Sequence, residues 1–294
     1  MAETFWKYQG AGNDFLLFER NALPQDPALW ARRLCHRRLG VGGDGILFVL
    51  PSQDADAKMR IFNADGSEAE MCGNGLRCVA LHLHARGKAD RAMVVETEAG
   101  LKSCLVAEDA TEHSGGVRLS LGRPALDRAS LPMEGSGRCV AEPFSVQDRE
   151  IGITAVSMGN PHVVTFLDQG ETDDIVRLAG ELGPVLETHA AFPRRTNVSF
   201  VRAMGEGAFE AVVWERGCGL TAACGTGAGA IGVAACLEGR AQAGQDIKIA
   251  LPGGTLTVQV AEGYEEVFLE GPADLAFRGT VDPQALPEPR WMPI

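Results

Sequence analysis

Met71-Cys72-Gly73-Asn74-Gly75 and Ala223-Cys224-Gly225-Thr226-Gly227 are two versions of one phrase. In each, a cysteine precedes Gly-polar-Gly and then a segment that reads as a buried helix, Gly75 to Ala85 in the first and Gly227 to Leu237 in the second. A thiol at a helix N-terminus faces unpaired backbone N–H groups and the positive end of the helix dipole. Both favour thiolate, and both can hold a carboxylate. The cysteines lie 152 residues apart (224 − 72) in a chain of 294. One such thiol per half points to two similar domains, with an active site expected in the cleft where they meet.

The spacing extends beyond the cysteines. Asn63 and Glu215 each stand nine residues before their cysteine. Gly45-Ile46 aligns with Asn197-Val198 and Phe48 with Phe200 at the same offset of 152, and Gly87 and Gly239 each close the following helix. Ala99-Gly100-Leu101 resembles Gly253-Gly254-Thr255 at 154, and Gly12-Asn13 resembles Gly159-Asn160 at 147, the drift that loop insertions produce. Several ordered pairs at nearly one offset imply an internal duplication.

A chain of this length holds two cores. The net charge of −12 argues against a nucleic-acid-binding surface. Met1 to Gly10 has no basic region followed by an apolar run, so no signal peptide is expected there. The longest small, apolar run, Gly225 to Leu237, is too short to span a bilayer. A cytoplasmic protein with its eight cysteines reduced is therefore expected, with no membrane partner.

Short segments bounded by Gly, Asp or Pro read as antiparallel strands, among them Phe15 to Phe18, Gly45 to Leu50, Val163 to Leu167 and Phe209 to Glu215. Ala28 to Leu39 reads as an amphipathic helix with Leu29, Leu34 and Leu39 inward, and Asp173 to Leu182 as another. The second cysteine helix is apolar all round and must be enclosed. The expected fold is α+β: two pseudo-symmetric domains, each an antiparallel sheet or barrel curled around a central helix. The expected limits are 1–122 and 123–276, with 277–294 returning to the first domain. Pro, Gly and Ser mark Gly122 to Arg138 as the connection.

Asn13, Asn63, Asn74, Asn160 and Asn197 lie in glycine or turn contexts. Amides offer both donor and acceptor and suit a substrate carrying ammonium and carboxylate groups, as does the adjacent pair Glu215-Arg216. Metal binding fits poorly, because Cys72 and Cys78, like Cys218 and Cys224, have five residues between them and the histidines do not cluster. Neither a Cys-x-x-Cys redox pair, a phosphate-binding loop, a dinucleotide fingerprint nor a nominated pyridoxal lysine appears. What remains is acid–base chemistry by two thiols on opposite faces of one carbon, which inverts a stereocentre, with helix N-termini stabilising the carboxylate beside the developing carbanion.

At this point the chain resembles the diaminopimelate epimerases, cofactor-independent enzymes that interconvert LL- and meso-2,6-diaminopimelate in lysine and peptidoglycan-precursor biosynthesis. The resemblance runs nearly end to end. It rests on Gly10-Ala11-Gly12-Asn13-Asp14-Phe15, on Phe62-Asn63-Ala64-Asp65-Gly66-Ser67 leading into Met71 to Cys78, on Ser157-Met158-Gly159-Asn160-Pro161-His162, on Thr196-Asn197, and on Glu215-Arg216-Gly217 leading into Ala223 to Gly227. It implies Cys72 and Cys224 as the acid/base pair, with His162 and Glu215 aiding catalysis. It implies that Asn13, Asn63, Asn160, Asn197, Glu215 and Arg216 bind substrate, and that Gly73, Asn74, Gly225 and Thr226 hold the carboxylate at the reacting centre.

Two positions depart from the pattern. Many relatives carry a substrate-contacting Gln where this chain has Gly45, and Gly-Glu-Thr where it has Gly219-Leu220-Thr221. Proline racemases and hydroxyproline epimerases usually carry Met-Cys-Gly-His-Gly and Ser-Pro-Cys-Gly-Thr-Gly, against Asn74 and Ala223 here, and the phenazine-type isomerases generally lack the cysteine pair. A non-catalytic redox or metal-binding thiol protein is the alternative from another class. Some relatives are homodimers, and Phe277 lies in the region they use.

Overall fold

Phe15-Leu16-Leu17-Phe18 is apolar at every position because it is buried on both faces. Phe15 and Leu17 enter one core cluster, Leu16 and Phe18 another, as the alternation of a strand requires. Gly45 to Leu50 behaves in the same way, with Leu47 and Val49 on one side and Ile46 and Phe48 on the other.

The computed structural model describes residues 2–167 and 174–288. Asp173, expected to open a helix, and residues 289–294 lie outside the described residues. The chain divides into unit 1, residues 1–119 with 271–294, and unit 2, residues 120–270. The first runs through β1 (Glu3–Gly10), β2 (Asn13–Glu19), α1 (Pro27–Cys35), β3 (Gly45–Leu50), β4 (Ala57–Asn63), β5 (Glu68–Ala69), α2 (Gly73–Ala85), β6 (Ala92–Thr97), β7 (Gly100–Val106) and β8 (Ser114–Gly122). The second continues with β9 (Glu142–Val146), β10 (Arg149–Ser157), β11 (Pro161–Leu167), α3 (Ile175–Glu187), β12 (Asn197–Gly205), β13 (Ala208–Glu215), β14 (Gly219–Leu220), α4 (Gly225–Leu237), β15 (Asp246–Leu251), β16 (Gly254–Val260) and β17 (Val267–Val281). The expected limits at 122 and 276 fall within β8 and β17, which both run through the division.

In unit 1 the strands pair in the order β1-β2-β3-β4-β6-β7-β8-β17, and β17 pairs back to β1, closing an eight-stranded barrel. Helix α2 runs through it, buried without a break from Asn74 to Leu83. Its Leu76, Val79, Ala80 and Leu83 share a cluster with Phe15, Leu17, Leu47, Met59 and Ile61. Outside lies α1, whose Ala31, Leu34 and Cys35 cover Leu16, Phe18, Ile46 and Phe48. This helix is the crossover that lets β2 and β3 pair in parallel.

Unit 2 repeats the plan with the same pairing senses. β10–β11, β12–β13, β13–β14 and β15–β16 are antiparallel and β11–β12 and β13–β15 parallel, matching β1–β2, β3–β4, β4–β5 and β6–β7 with β2–β3 and β4–β6. Registers agree as well: Phe15 pairs with Gly45, and His162 with Asn197. The sheets are therefore mixed rather than purely antiparallel.

Helix α4 is lined with glycine and alanine for a steric reason. A Cβ on Gly232 would lie 2.5 Å from Val258, and one on Gly229 would lie 2.7 Å from Leu121. Other expectations shift. Helix α1 stops at Cys35, and Leu39 is exposed rather than inward. There Gly40 and Val41 turn back, donating to His36 and Leu34 carbonyls, so close that a Cβ on Gly40 would lie 2.2 Å from the Arg33 carbonyl. Strand β1 and the run of β17 to Val281 were not anticipated. Among the described residues no helix is long and apolar enough to cross a membrane.

Candidate active site

Each motif cysteine is the N-cap of the central helix of its unit, with extended backbone: φ −140°, ψ 118° at Cys72 and φ −123°, ψ 110° at Cys224. The strand-to-helix turn therefore places each cysteine at the open N-terminal ring of amides, where the Cys224 thiol accepts from the Gly227 N–H and the Cys72 thiol makes no cap hydrogen bond.

In unit 1 the structure brings Asn13 and Asn74 together. Asn74 Nδ2 donates to Asn13 Oδ1 at 3.2 Å, and Asn13 Nδ2 donates to Asp44 Oδ2 at 2.6 Å. Gly73 opens α2 beside Cys72. Asn63 ends β4 opposite Gly45 and donates to Ser67 Oγ at 3.0 Å, exposed and outside the Asn13–Asn74 chain. Asp14 stays ionised, paired with Lys7 and Arg37. Burial raises its carboxyl, but hydrogen bonds from Arg37 and Lys7 outweigh this and hold it far below the usual range.

In unit 2 a chain leads away from the thiol. Thr226 Oγ1 stands 3.6 Å from Cys224 Sγ and 3.1 Å from His162 Nε2, which is also 3.1 Å from Asn160 Oδ1. An amide oxygen only accepts, so the proton is assigned to Nε2. Burial, with the charge of Arg216 behind it, pushes His162 down to about 3. A neutral imidazole with Nδ1 buried and unpartnered orients Thr226 and Asn160; it is not charged near neutral pH. Asn197 accepts from the Arg216 N–H at 2.9 Å and donates to the Pro161 carbonyl at 2.9 Å, tying β12 to the Glu215-Arg216 corner. Glu215 accepts from Thr221 Oγ1 at 2.6 Å.

One expectation is overturned at Cys224. A helix N-terminus was expected to depress its pKa, and the Gly227 N–H does reach Sγ at 3.4 Å. Burial pushes the thiol the other way, and Glu215 adds to it; together they outweigh Thr226 and Gly227 and leave the pKa well above that of a free thiol. Cys224 is a protonated thiol at neutral pH.

Sequence reading missed Asp44, Arg77, Thr221 and Glu187. Only Arg77 carried a signal, a charge inside a segment otherwise read as a buried helix. Among the described residues no group of three or more His, Cys, Asp or Glu side chains is placed to hold a metal ion.

The sequence model of diaminopimelate epimerase matches residues 5–126 and 154–276. The chain belongs to the diaminopimelate epimerase family. The diaminopimelate epimerase of Desulforudis audaxviator is 46% identical over 281 residues, spanning 94% of this chain and 98% of its own. That of Bacillus anthracis is 40% identical over 288 residues, 95% of this chain and 97% of its own. Solved structures share the fold at low identity. A phenazine biosynthesis protein from Bacillus anthracis superposes with a TM-score of 0.65 at 16% identity, over 96% of this chain and 99% of that one. A hydroxyproline epimerase from Agrobacterium vitis gives 0.65 at 18%, over 95% and 91%. The fold is thus common to several chemistries, whereas the sequence likeness to diaminopimelate epimerases spans both cysteine motifs.

Proposed function

We propose that this protein interconverts LL- and meso-2,6-diaminopimelate by moving the α-proton between two cysteines, in lysine and peptidoglycan-precursor biosynthesis. The observation that carries this is the pair Cys72 and Cys224, N-caps of equivalent helices in duplicated units of a diaminopimelate epimerase family chain.

In one direction the Cys72 thiolate takes the α-proton as the C–H bond breaks, and the Cys224 thiol gives its proton to the opposite face of the same carbon. Cys72 ends as thiol and Cys224 as thiolate, and the reverse reaction starts from that state. The raised pKa of Cys224 supports its assignment as the proton-loaded partner. Gly73-Asn74 and Gly225-Thr226 hold the reacting carboxylate at the two helix N-termini, where amides favour developing negative charge. Asn13, Asn63, Asn160, Asn197, Glu215 and Arg216 bind the rest of the zwitterion, and His162 positions Thr226. The enzyme works in the cytoplasm as a homodimer; half-exposed Phe277, packed edge-on against Phe5, supports β17 as the contact strand.

Incubation with LL-diaminopimelate in D₂O tests the reading: deuterium enters the α-carbon during turnover. Cys72→Ala and Cys224→Ala each abolish epimerisation. A variant keeping more than about a tenth of wild-type activity would sink the two-thiol reading, since a general acid or base is worth at least about 100-fold.

A further inference from the structure

Hydrogen bonds in unit 1 run one way through two side-chain amides. Arg77 Nη2 donates to Asn74 Oδ1 at 2.8 Å, Asn74 Nδ2 to Asn13 Oδ1 at 3.2 Å, and Asn13 Nδ2 to Asp44 Oδ2 at 2.6 Å. Both ends are chemically irreversible. A guanidinium can only donate and a carboxylate can only accept, whereas an amide can do either by turning over. Flipping Asn13 would set its nitrogen against the Asn74 nitrogen and its oxygen against the Asp44 carboxylate.

The ends are themselves held. Arg77 is wholly buried, and its Nε donates to the Pro272 carbonyl at 3.1 Å. It makes no ion pair among the described residues, and its Nη1 is buried without a partner, so this charge is not spent on a salt bridge. Gly10 makes room for it: a Cβ there would lie 3.2 Å from the Asn74 carbonyl and 3.5 Å from Arg77 Nη2. Asp44 is fixed by Arg37 Nη2 at 2.8 Å and by the Asp14 N–H at 3.1 Å.

We propose that Arg77 and Asp44 are positioning residues, the two ends of a directional relay that decides which atoms Asn13 and Asn74 turn toward the substrate. With both ends in place, Asn13 and Asn74 each keep one N–H and one lone pair outside the relay, a set matched to carboxylate and ammonium groups. This rests on the assignment of Asn13 and Asn74 as substrate-binding residues and extends it to the groups that orient them.

Asp44→Asn keeps the shape of the side chain but can donate as well as accept, so it releases the constraint. It lowers kcat/KM about tenfold, the scale of one hydrogen bond, chiefly through KM. In an Asn13→Ala background the same change has less than about a twofold effect, because Asp44 acts through Asn13. Additive losses would overturn the proposal. A second readout does not depend on turnover. In ¹⁵N-labelled protein the side-chain amide protons of Asn13 and Asn74 exchange slowly, and exchange accelerates in D44N and in R77K, whose ammonium cannot serve Asn74 and Pro272 as a fork does. Unchanged exchange in D44N defeats the proposal. Slow exchange in a wild-type protein that does not turn over diaminopimelate would count against the proposed function instead, leaving the relay intact.

Discussion

At Cys224 two influences oppose each other, and their sizes decide the chemistry. The Gly227 N–H reaches the sulfur, yet burial beside Glu215 wins, and the thiol stays protonated. Gly227 also sets where that sulfur sits, since a Cβ there would lie 3.2 Å from Sγ. Gly227→Ala should displace the thiol and cut kcat about 100-fold, the cost of a misplacement of about 1 Å, while the folded circular-dichroism spectrum persists. Near-normal turnover in that variant would mean the sulfur position is not critical. His162 makes a different prediction. Its folded pKa of about 3 lies below the ordinary value of 6.5. The unfolded chain therefore binds the proton more tightly, and the contribution of His162 to stability is complete above about pH 6.5 and drains away as pH falls toward 3, at up to about 1.4 kcal/mol per pH unit. Urea unfolding between pH 7 and pH 4 should show a loss of about 3 kcal/mol that His162→Gln does not share; parallel curves would contradict a neutral buried imidazole. Gly45 was read as a position where relatives carry a side chain. Here a Cβ would lie 2.8 Å from the Phe62 carbonyl, a fixed backbone atom. Gly45→Gln should cost roughly 1–3 kcal/mol in overpacking, read as a lowered melting temperature, rather than restore a contact.

At the scale of elements, α3 does more than cross between β11 and β12. Its last residue, Glu187, is buried and accepts from Trp214 Nε1 at 2.7 Å and from the Gly217 N–H at 3.0 Å. One carboxylate thus holds both sides of the Glu215-Arg216 corner, and the hydrogen bond from Trp214 keeps its carboxyl below the usual range. Glu187→Ala strands two donors and should cost about 2–4 kcal/mol in chemical denaturation, while Glu187→Gln, which keeps an acceptor, should lose less. If the two variants unfold alike, the carboxylate is not what fixes the corner. Nothing in the sequence marked Glu187: the amphipathic helix was read as ending at Leu182, whereas α3 continues through Pro184 to Glu187, whose partners lie 27 and 30 residues away. The cysteine helices were legible from their Gly-x-Gly openings and, in the second, from a run that is apolar all round. Strand β1 was not, because Lys7 occupies a buried position whose charge is met by Asp14 on the neighbouring strand and by the Gly42 carbonyl. Asp44 was hidden for the same reason: its partners are brought to it by the β2–β3 pairing.

For the whole molecule, the duplication was readable because turn glycines and helix starts keep their spacing, and the registers Phe15–Gly45 and His162–Asn197 confirm it residue by residue. Mixed pairing was harder to see, since a short apolar strand looks alike whichever way its neighbour runs. Least visible was β17, which pairs with β16 through Val267 to Glu270 and with β1 through Asp274 to Val281. A chain ended after Glu270 should keep the strands of unit 2 but leave β1 and β8 as open edges, and should aggregate on expression; a soluble, monodisperse product would show that the last strand is dispensable. The same strand orders events on the ribosome. Unit 1 is begun first, yet its barrel closes only with residues translated after all of unit 2. For more than half of synthesis the nascent chain carries an unfinished barrel, exposed to chaperones and to wrong partners, and the cysteine made first is the one whose surroundings mature last.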